Sequence, residues 1–386
     1  MNRVFLTVSR LVVLGLVAVS MSACATGAVA GRWLVDDPDF VPRDPDCSAQ
    51  ARAVTQSSEA VVRFPDMVSA GDGVVFDGEM FGKGRPLGEG VWFFEPSSGS
   101  VRLVGRDCRG PFSVLDGDVL MTCEEEGQGA TLSRLAIKDG ALARFAGGDV
   151  VDIEVVDERL VSVQGYRVAF VDKCAPRMVT EYSLAVCGAG MRDCRTLAAL
   201  PEAPRSMTVG DNVVVMAFAG LTSGLWVVGL DDPVDGRAMP DMAVRRDWAY
   251  RPLQVLASGD EYYWFDAATG RLIRHNKQFA KNAAILAKSV CDPAAQGTVT
   301  CGFVGMAVAG ERIVYLTDEA RLVAINKDGT NPVTLWSGQP CRSSCSRPVV
   351  LGDSVFLING DDMISVKLDG SSFSGLDLKS RVEAVQ

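Results

Sequence analysis

The sequence predicts an all-β fold, a β-propeller of seven four-stranded blades, and three observations carry that reading. First, one phrase recurs seven times: a short apolar run, a turn of Gly, Asp or Glu, and a second apolar run. The instances are VSAGDGVVF (68–76), SVLDGDVLM (113–121), IEVVDERLV (153–161), MTVGDNVVVM (207–216), QVLASGDEYYWF (254–265), GMAVAGERIVYL (305–316) and PVVLGDSVFLI (348–358). Second, the aligned acids Asp72, Asp118, Glu158, Asp211, Asp260, Glu311 and Asp353 recur every 40–53 residues, the period of one small sheet per repeat. Third, a further hairpin with period-2 apolarity follows most of these phrases, as in VWFFEPSSGSVRLV (91–104) and LSRLAIKDGALARF (132–145). A count of six or eight follows if one weak repeat, the third above all, is split or missed.

Residues 1–23 read as an export signal, with Arg3 and Arg10 ahead of an apolar stretch from Leu11 to Val19 that is too short to span a bilayer. Met21-Ser22-Ala23-Cys24 resembles the bacterial lipobox, in which the cysteine is acylated and becomes the mature N-terminus; Met21 stands where Leu is usual. The resemblance implies a lipid anchor at Cys24, with the bilayer as a partner. Ala25, where an Asp would signal inner-membrane retention, implies the outer membrane, facing the periplasm or the cell surface. The alternative is an ordinary cleavable signal whose nearby cysteine joins a disulfide. Residues 24–47 read as a flexible acidic tether, since Pro38, Pro42 and Pro45 lie among five Asp with few apolar residues to bury.

Residues 48–386 read as the propeller. Its sixth blade is the clearest: Met306–Ala309, a Gly310-Glu311 turn, Ile313–Thr317, Leu322–Ile325, a Lys327-Asp328-Gly329 turn and Val333–Trp336. The third blade is irregular, carrying a Cys-bounded insertion in MVTEYSLAVCGAGMRDCRTL (178–197). The segment Lys277–Lys288 reads as a lead into a strand. Side chains just before each turn, Val68, Val114, Val155, Met207, Val255, Met306 and Val350, are expected between blades. A ring must close or leave strand edges open, so EAVVRF (59–64) is expected to add to the sheet of the last repeat. Stacked blades also explain how so long a chain avoids the size limit of a single core.

There are 11 Cys, so one is left over in an oxidising compartment. With Cys24 on lipid, the other ten can pair. Short spacings suggest Cys108–Cys123, Cys187–Cys194, Cys291–Cys301 and Cys341–Cys345, with Cys47 and Cys174 remaining and Cys174–Cys187 a competing option. No CxxC pair has zinc spacing. The chain has 38 Lys+Arg against 48 Asp+Glu, a net charge of −10. No basic cluster interrupts this balance, which excludes a nucleic-acid partner.

The stretch IVYLTDEARLVAINKDGTNPVTLW (313–336) resembles one repeat of the YWTD-type and TolB-like propellers, with Tyr315-Leu316-Thr317-Asp318 at the family's Tyr-Trp-Thr-Asp. YYWFDAATGRLI (262–273) is similar to a quinoprotein-type blade. Each resemblance covers about one blade. Together they imply the architecture and carry over no functional residue.

The search for chemistry returns little. His275 is the one histidine, which excludes HExxH and two-His metal motifs; beside Arg271 and Arg274 it is expected at the surface. Gly220-Leu221-Thr222-Ser223-Gly224 puts Thr where a nucleophilic Ser belongs, and no Ser stands three residues before a Lys. The run from Asp231 to Gly236 fails as a calcium loop because Pro233 takes a ligand position and Met242 stands where the closing Glu belongs. FGKGRPLGEG (81–90) lacks the phosphate-cradling pattern and reads as a long flexible loop; Glu124-Glu125-Glu126 reads as a solvated turn. No catalytic residue, metal site or cofactor is expected. The leading reading is a membrane-tethered extracytoplasmic binding lipoprotein that holds an envelope protein, peptide or polysaccharide at one rim. A secreted hydrolase or lyase using carboxylates in the central channel is the alternative, and an outer-membrane assembly factor is a third.

Overall fold

The structure, a computed structural model, describes residues 66–378 apart from 83–84, 126–128, 148, 172–175, 189–192, 211, 220–222, 232–240, 245–251, 277–282, 288–301 and 342–344. Among the described residues, twenty-eight strands fall into seven antiparallel sheets of four, each built from strands consecutive in the chain. Blade one runs from β1 (Met67–Ala70) to β4 (Ser100–Arg106), blade two from β5 (Cys108–Leu115) to β8 (Leu142–Gly147), and blade three from β9 (Asp149–Val156) to β12 (Arg195–Leu200). Blade four runs from β13 (Ser206–Gly210) to β16 (Asp241–Val244), and blade five from β17 (Pro252–Ser258) to β20 (Ala284–Ala287). Blade six runs from β21 (Phe303–Ala309) to β24 (Val333–Ser337), and blade seven from β25 (Val349–Leu351) to β28 (Phe373–Asp377). The first strand of each blade touches the first strand of the next, and β25 returns to β1, so the first strands form the inner wall of a closed ring.

Each recurring phrase is the inner hairpin of a blade. Its turn needs left-handed backbone, and Gly71, Gly259, Gly310 and Gly352 supply it at φ of 56–61° just ahead of the acid. Blade three makes the same turn without glycine, with Asp157 and Glu158 both at positive φ.

The core is divided by seam. Seven apolar clusters form, one between each pair of neighbouring blades. Strands buried on both faces supply them, as in Ile313, Val314, Tyr315 and Leu316, all inaccessible. The seam between blades seven and one is made of Val74, Phe76, Trp92 and Phe94 against Phe356, Ile358, Met363 and Leu378. The ring thus closes by packing, and the seventh sheet takes all four strands from the last repeat. Glu59–Phe64 lies outside the described residues.

The expected core residues divide by height in the blade. Met207, Val255 and Met306, fourth from the turn, are buried; Val68, Val114, Val155 and Val350 sit nearer the turn rim, pack against the seam clusters and stay half-buried. Residues 81–82 and 85–90 are strand and not loose loop: β2 (Gly73–Gly82) and β3 (Arg85–Glu95) pair through Gly78↔Gly90 and Phe81↔Pro86, because an antiparallel ladder satisfies glycine backbone as it does any other. Glu124 and Glu125 likewise belong to β6 (Asp118–Glu125), and Glu124 pairs with Arg109 at 3.4 Å. The irregular third blade has the longest hairpin, β10 (Arg159–Val171) with β11 (Pro176–Cys187).

Candidate functional site

The central channel is lined by equivalent positions of the seven inner strands. Counting back from the turn, the fifth residue is Asp66, Pro111, Asp152, Ser206, Gln254, Gly305 or Arg347. The third is Val68, Ser113, Glu154, Thr208, Leu256, Ala307 or Val349. Six polar side chains at these levels point to the following blade and accept hydrogen bonds from its inner backbone. At the fifth level, Asp152 accepts from Met207 N–H at 2.8 Å, Ser206 from Val255 N–H at 3.3 Å, and Gln254 from Met306 N–H at 2.7 Å. At the third level, Ser113 accepts from Val155 N–H and Thr208 from Ala257 N–H, both at 3.1 Å, and Glu154 accepts from Val209 N–H and from the Thr208 hydroxyl. A propeller's inner strands carry amides with no ladder partner on the channel side, so these stitches satisfy groups that would otherwise be orphaned. Asp77, on the second strand of blade one, does related work by accepting from Asp66 N–H and from Gly110 N–H of blade two, each at 2.8 Å.

At the seam between blades three and four the acceptors are carboxylates. Each residue keeps some exposed surface, yet protein surrounds both carboxyl groups, and Glu154 Oε2 has no hydrogen-bond donor and no solvent. Burial pushes Asp152 up to about 7, opposed by Arg347 and reinforced by Asp66. Burial and the charge of Asp152 push Glu154 up to about 8. Tyr262, which donates to Gly210 O at 3.2 Å, is raised as well, by burial and then by Glu154.

The turn rim carries a second device. Arg102 donates to Ile137 O at 2.5 Å, Arg274 to Lys327 O at 3.1 Å, Arg312 to Leu368 O at 3.0 Å, and Arg195 to Leu230 O. Each arginine clasps the carbonyl that opens the outer turn of the next blade. A cleft of about 490 Å³ lies on this rim between blades one and two, lined by Asp72, Phe93, Glu95, Arg102, Asp118 and Lys138, with Arg102 5.0 Å from the Phe93 ring centre.

The structure joins Cys108 to Cys123, Cys187 to Cys194 and Cys341 to Cys345, with Cα atoms 3.9, 4.0 and 5.4 Å apart. Cys24, Cys47, Cys174, Cys291 and Cys301 lie outside the described residues. His275 is not on the surface. It is 6% exposed and stacks on Trp264 with ring centres 6.0 Å apart, because both faces of β19 are covered: Ile273 and His275 turn to the seam with blade four, Leu272 and Arg274 to blade six. Asp231 is exposed and holds Asn212 and Arg159, leaving it a rim contact. In the YWTD-like stretch, Tyr315 and Thr317 are buried, and Thr317 accepts from Arg321 N–H at 3.2 Å. Sequence reading passed over Asp66, Asp152, Glu154 and Arg347. The signal for the middle pair was present: two acids at period 2 inside the otherwise apolar run Val150–Val156 of β9.

No family model matches the chain, and no curated relative matches it. Among solved structures it is similar to a puromycin-hydrolyzing peptidase of Mycobacterium tuberculosis, at 15% identity and a TM-score of 0.58 over 81% of this chain and 53% of that one. It is similar to the acylaminoacyl peptidase of Pyrococcus horikoshii at 9% identity and a TM-score of 0.55, over 85% and 55% of the two chains. It is also similar to YCF48 bound to D1 peptide, at 9% identity and a TM-score of 0.52, over 80% and 93%. The chain spans about half the length of the two peptidases. These likenesses show the fold.

Proposed function

We propose that this chain is a membrane-tethered extracytoplasmic binding protein, acylated at Cys24 and anchored in the outer membrane, whose propeller holds an envelope protein, peptide or polysaccharide. The supporting observation is how the channel's polar groups are engaged. Ser113, Asp152, Ser206, Thr208 and Gln254 each accept from an amide of the next blade, which is the work of a rigid scaffold. The cleft on the turn rim offers a place for contact, its volume within the range of ligand sites. YCF48, a propeller of similar extent, is described in complex with a peptide, and that use of the fold suits the present reading. The likeness to peptidases covers about half of those chains, so their hydrolysis is not carried over by it.

Crosslinking of the tethered protein in cells, followed by mass spectrometry, tests this reading. A specific envelope partner whose yield falls when Asp72, Glu95 and Arg102 are replaced is the expected result. Mass spectrometry of the mature N-terminus tests the anchor, and Cys24→Ser is expected to release the chain from membranes; an unmodified N-terminal peptide refutes the anchor. One observation favours the alternative of carboxylate chemistry in the channel: Asp152 and Glu154 sit side by side with raised proton affinities, as acid–base pairs do. Turnover in a sugar-lactone or glycan screen that Glu154→Gln abolishes, with no partner recovered, would replace the binding reading by that one.

A further inference from the structure

Asp66, Asp152 and Arg347 hold the same level of the channel, on blades one, three and seven. The Arg347 side chain runs along blade six, where a Cβ on Gly305 would sit 2.6 Å from Arg347 Cγ, so glycine makes the room for it. Asp66 occupies a matching gap beside Gly110, where a Cβ would lie 2.6 Å from its own Cβ. Both side chains are half-buried, and Arg347 and Asp66 each act electrostatically on Asp152. Yet neither the guanidinium nor the Asp66 carboxylate forms an ion pair or hydrogen bond with any described residue. At the level below, Glu154 Oε2 is a buried acceptor with no donor. Half-buried charges held apart in a stiff ring are costly unless something else pairs them.

We propose that the channel at this level binds a short zwitterion, such as an amino acid or small peptide, its carboxylate on Arg347 and its ammonium on Asp66 and Asp152. The guanidinium offers a planar fork of five N–H donors suited to a carboxylate. Asp152 already accepts from Met207 and Ile153 N–H, at 2.8 and 3.0 Å, and each of its oxygens retains a lone pair for an ammonium. A ligand with negative charge alone meets Asp66 and Asp152; one with positive charge alone meets Arg347. Only a molecule carrying both charges matches the ring. Polar neighbours at the same level, Ser206 and Gln254, are engaged with the next blade. This inference rests on the reading of the propeller as a binding protein and adds a channel ligand to the partner on the rim.

Calorimetry and thermal unfolding of the whole protein with millimolar glycine, glycylglycine, N-acetylglycylglycine and glycylglycinamide test it. Glycine or glycylglycine is expected to bind and raise the unfolding midpoint, glycine marking an amino-acid site and glycylglycine a peptide site. Each blocked form is expected to bind at least about tenfold more weakly, as loss of a charged hydrogen-bond partner requires. Arg347→Gln is expected to abolish binding, Arg347→Lys to retain part of it, and Asp66→Asn to weaken it, with unchanged far-UV spectra showing that the fold persists. Equal binding of free and blocked probes, no binding of either zwitterion, or full binding by Arg347→Gln overturns the proposal. Failure here is distinguishable from failure of the rim reading, because Arg347→Gln leaves the crosslinked partner in place if only the channel site is wrong.

Discussion

Asp152 and Glu154 make the seam between blades three and four depend on protons, where its neighbours depend on hydroxyls and an amide. Both carboxyls are pushed above their ordinary range, to about 7 and about 8, so between about pH 4 and 8 the folded chain holds protons that the unfolded chain has released. Their effect on stability is therefore an increasing loss as pH rises through that window, complete above it. The unfolding midpoint is expected to fall on raising the pH from about 5 to about 9, and to fall less in Glu154→Gln, read by calorimetry. Asp353, drawn down by Lys367, has the opposite sign and matters only in acid. Height within the blade sets a second expectation at this scale. Met306→Ala, at a position 2% exposed, is expected to cost ~2–4 kcal/mol by denaturant titration, and Val350→Ala, half-buried near the rim, less than half of that. The repeated phrase placed Met306 and Val350 together because it marks the turn and not the distance from it. His275 was misplaced for a related reason: neighbouring arginines suggest solvent, yet a blade's strand is covered on both faces, and Arg274 reaches Lys327 O of blade six while His275 packs on Trp264.

Hairpins were the most legible elements. Blade six follows its sequence reading to within a few residues on all four strands, since Gly310-Glu311 and Lys327-Asp328-Gly329 fix both turns and the apolar alternation between them leaves one register. The pairing of 81–82 with 85–86 was hidden because glycine signals a turn and a closely packed strand equally. Among disulfides, Cys108 and Cys123 face each other across the inner hairpin of blade two, whereas Cys187–Cys194 and Cys341–Cys345 close shorter loops. The longer loop constrains the unfolded chain more, so replacing Cys108 and Cys123 together by Ser is expected to cost ~3 kcal/mol, and replacing Cys341 and Cys345 ~2 kcal/mol. Equal midpoints for the two double variants would count against loop entropy as the cause.

At the scale of the molecule, periodicity revealed the ring, while the charged channel stayed hidden because it gathers one residue from each of several distant repeats. No local window contains Asp66, Asp152 and Arg347 together. Every seam has its own apolar cluster, so loss of one is expected to weaken the whole; Phe356→Ala, whose ring meets Phe94 edge-on at 6.1 Å, is expected to cost ~3–5 kcal/mol by calorimetry. The stitches have a direction as well, each running from one blade to the next along the chain. Followed around the circle, that sequence stops at blade six, where Gly305 and Ala307 hold the two accepting positions, and does not resume at blade seven, where Arg347 and Val349 hold them; none of these four side chains can accept a hydrogen bond. Of the two seams left without stitches, the one between blades seven and one is also where the described chain starts and finishes. A pull on the chain at Asp66 is therefore delivered to a join held by apolar packing without those stitches.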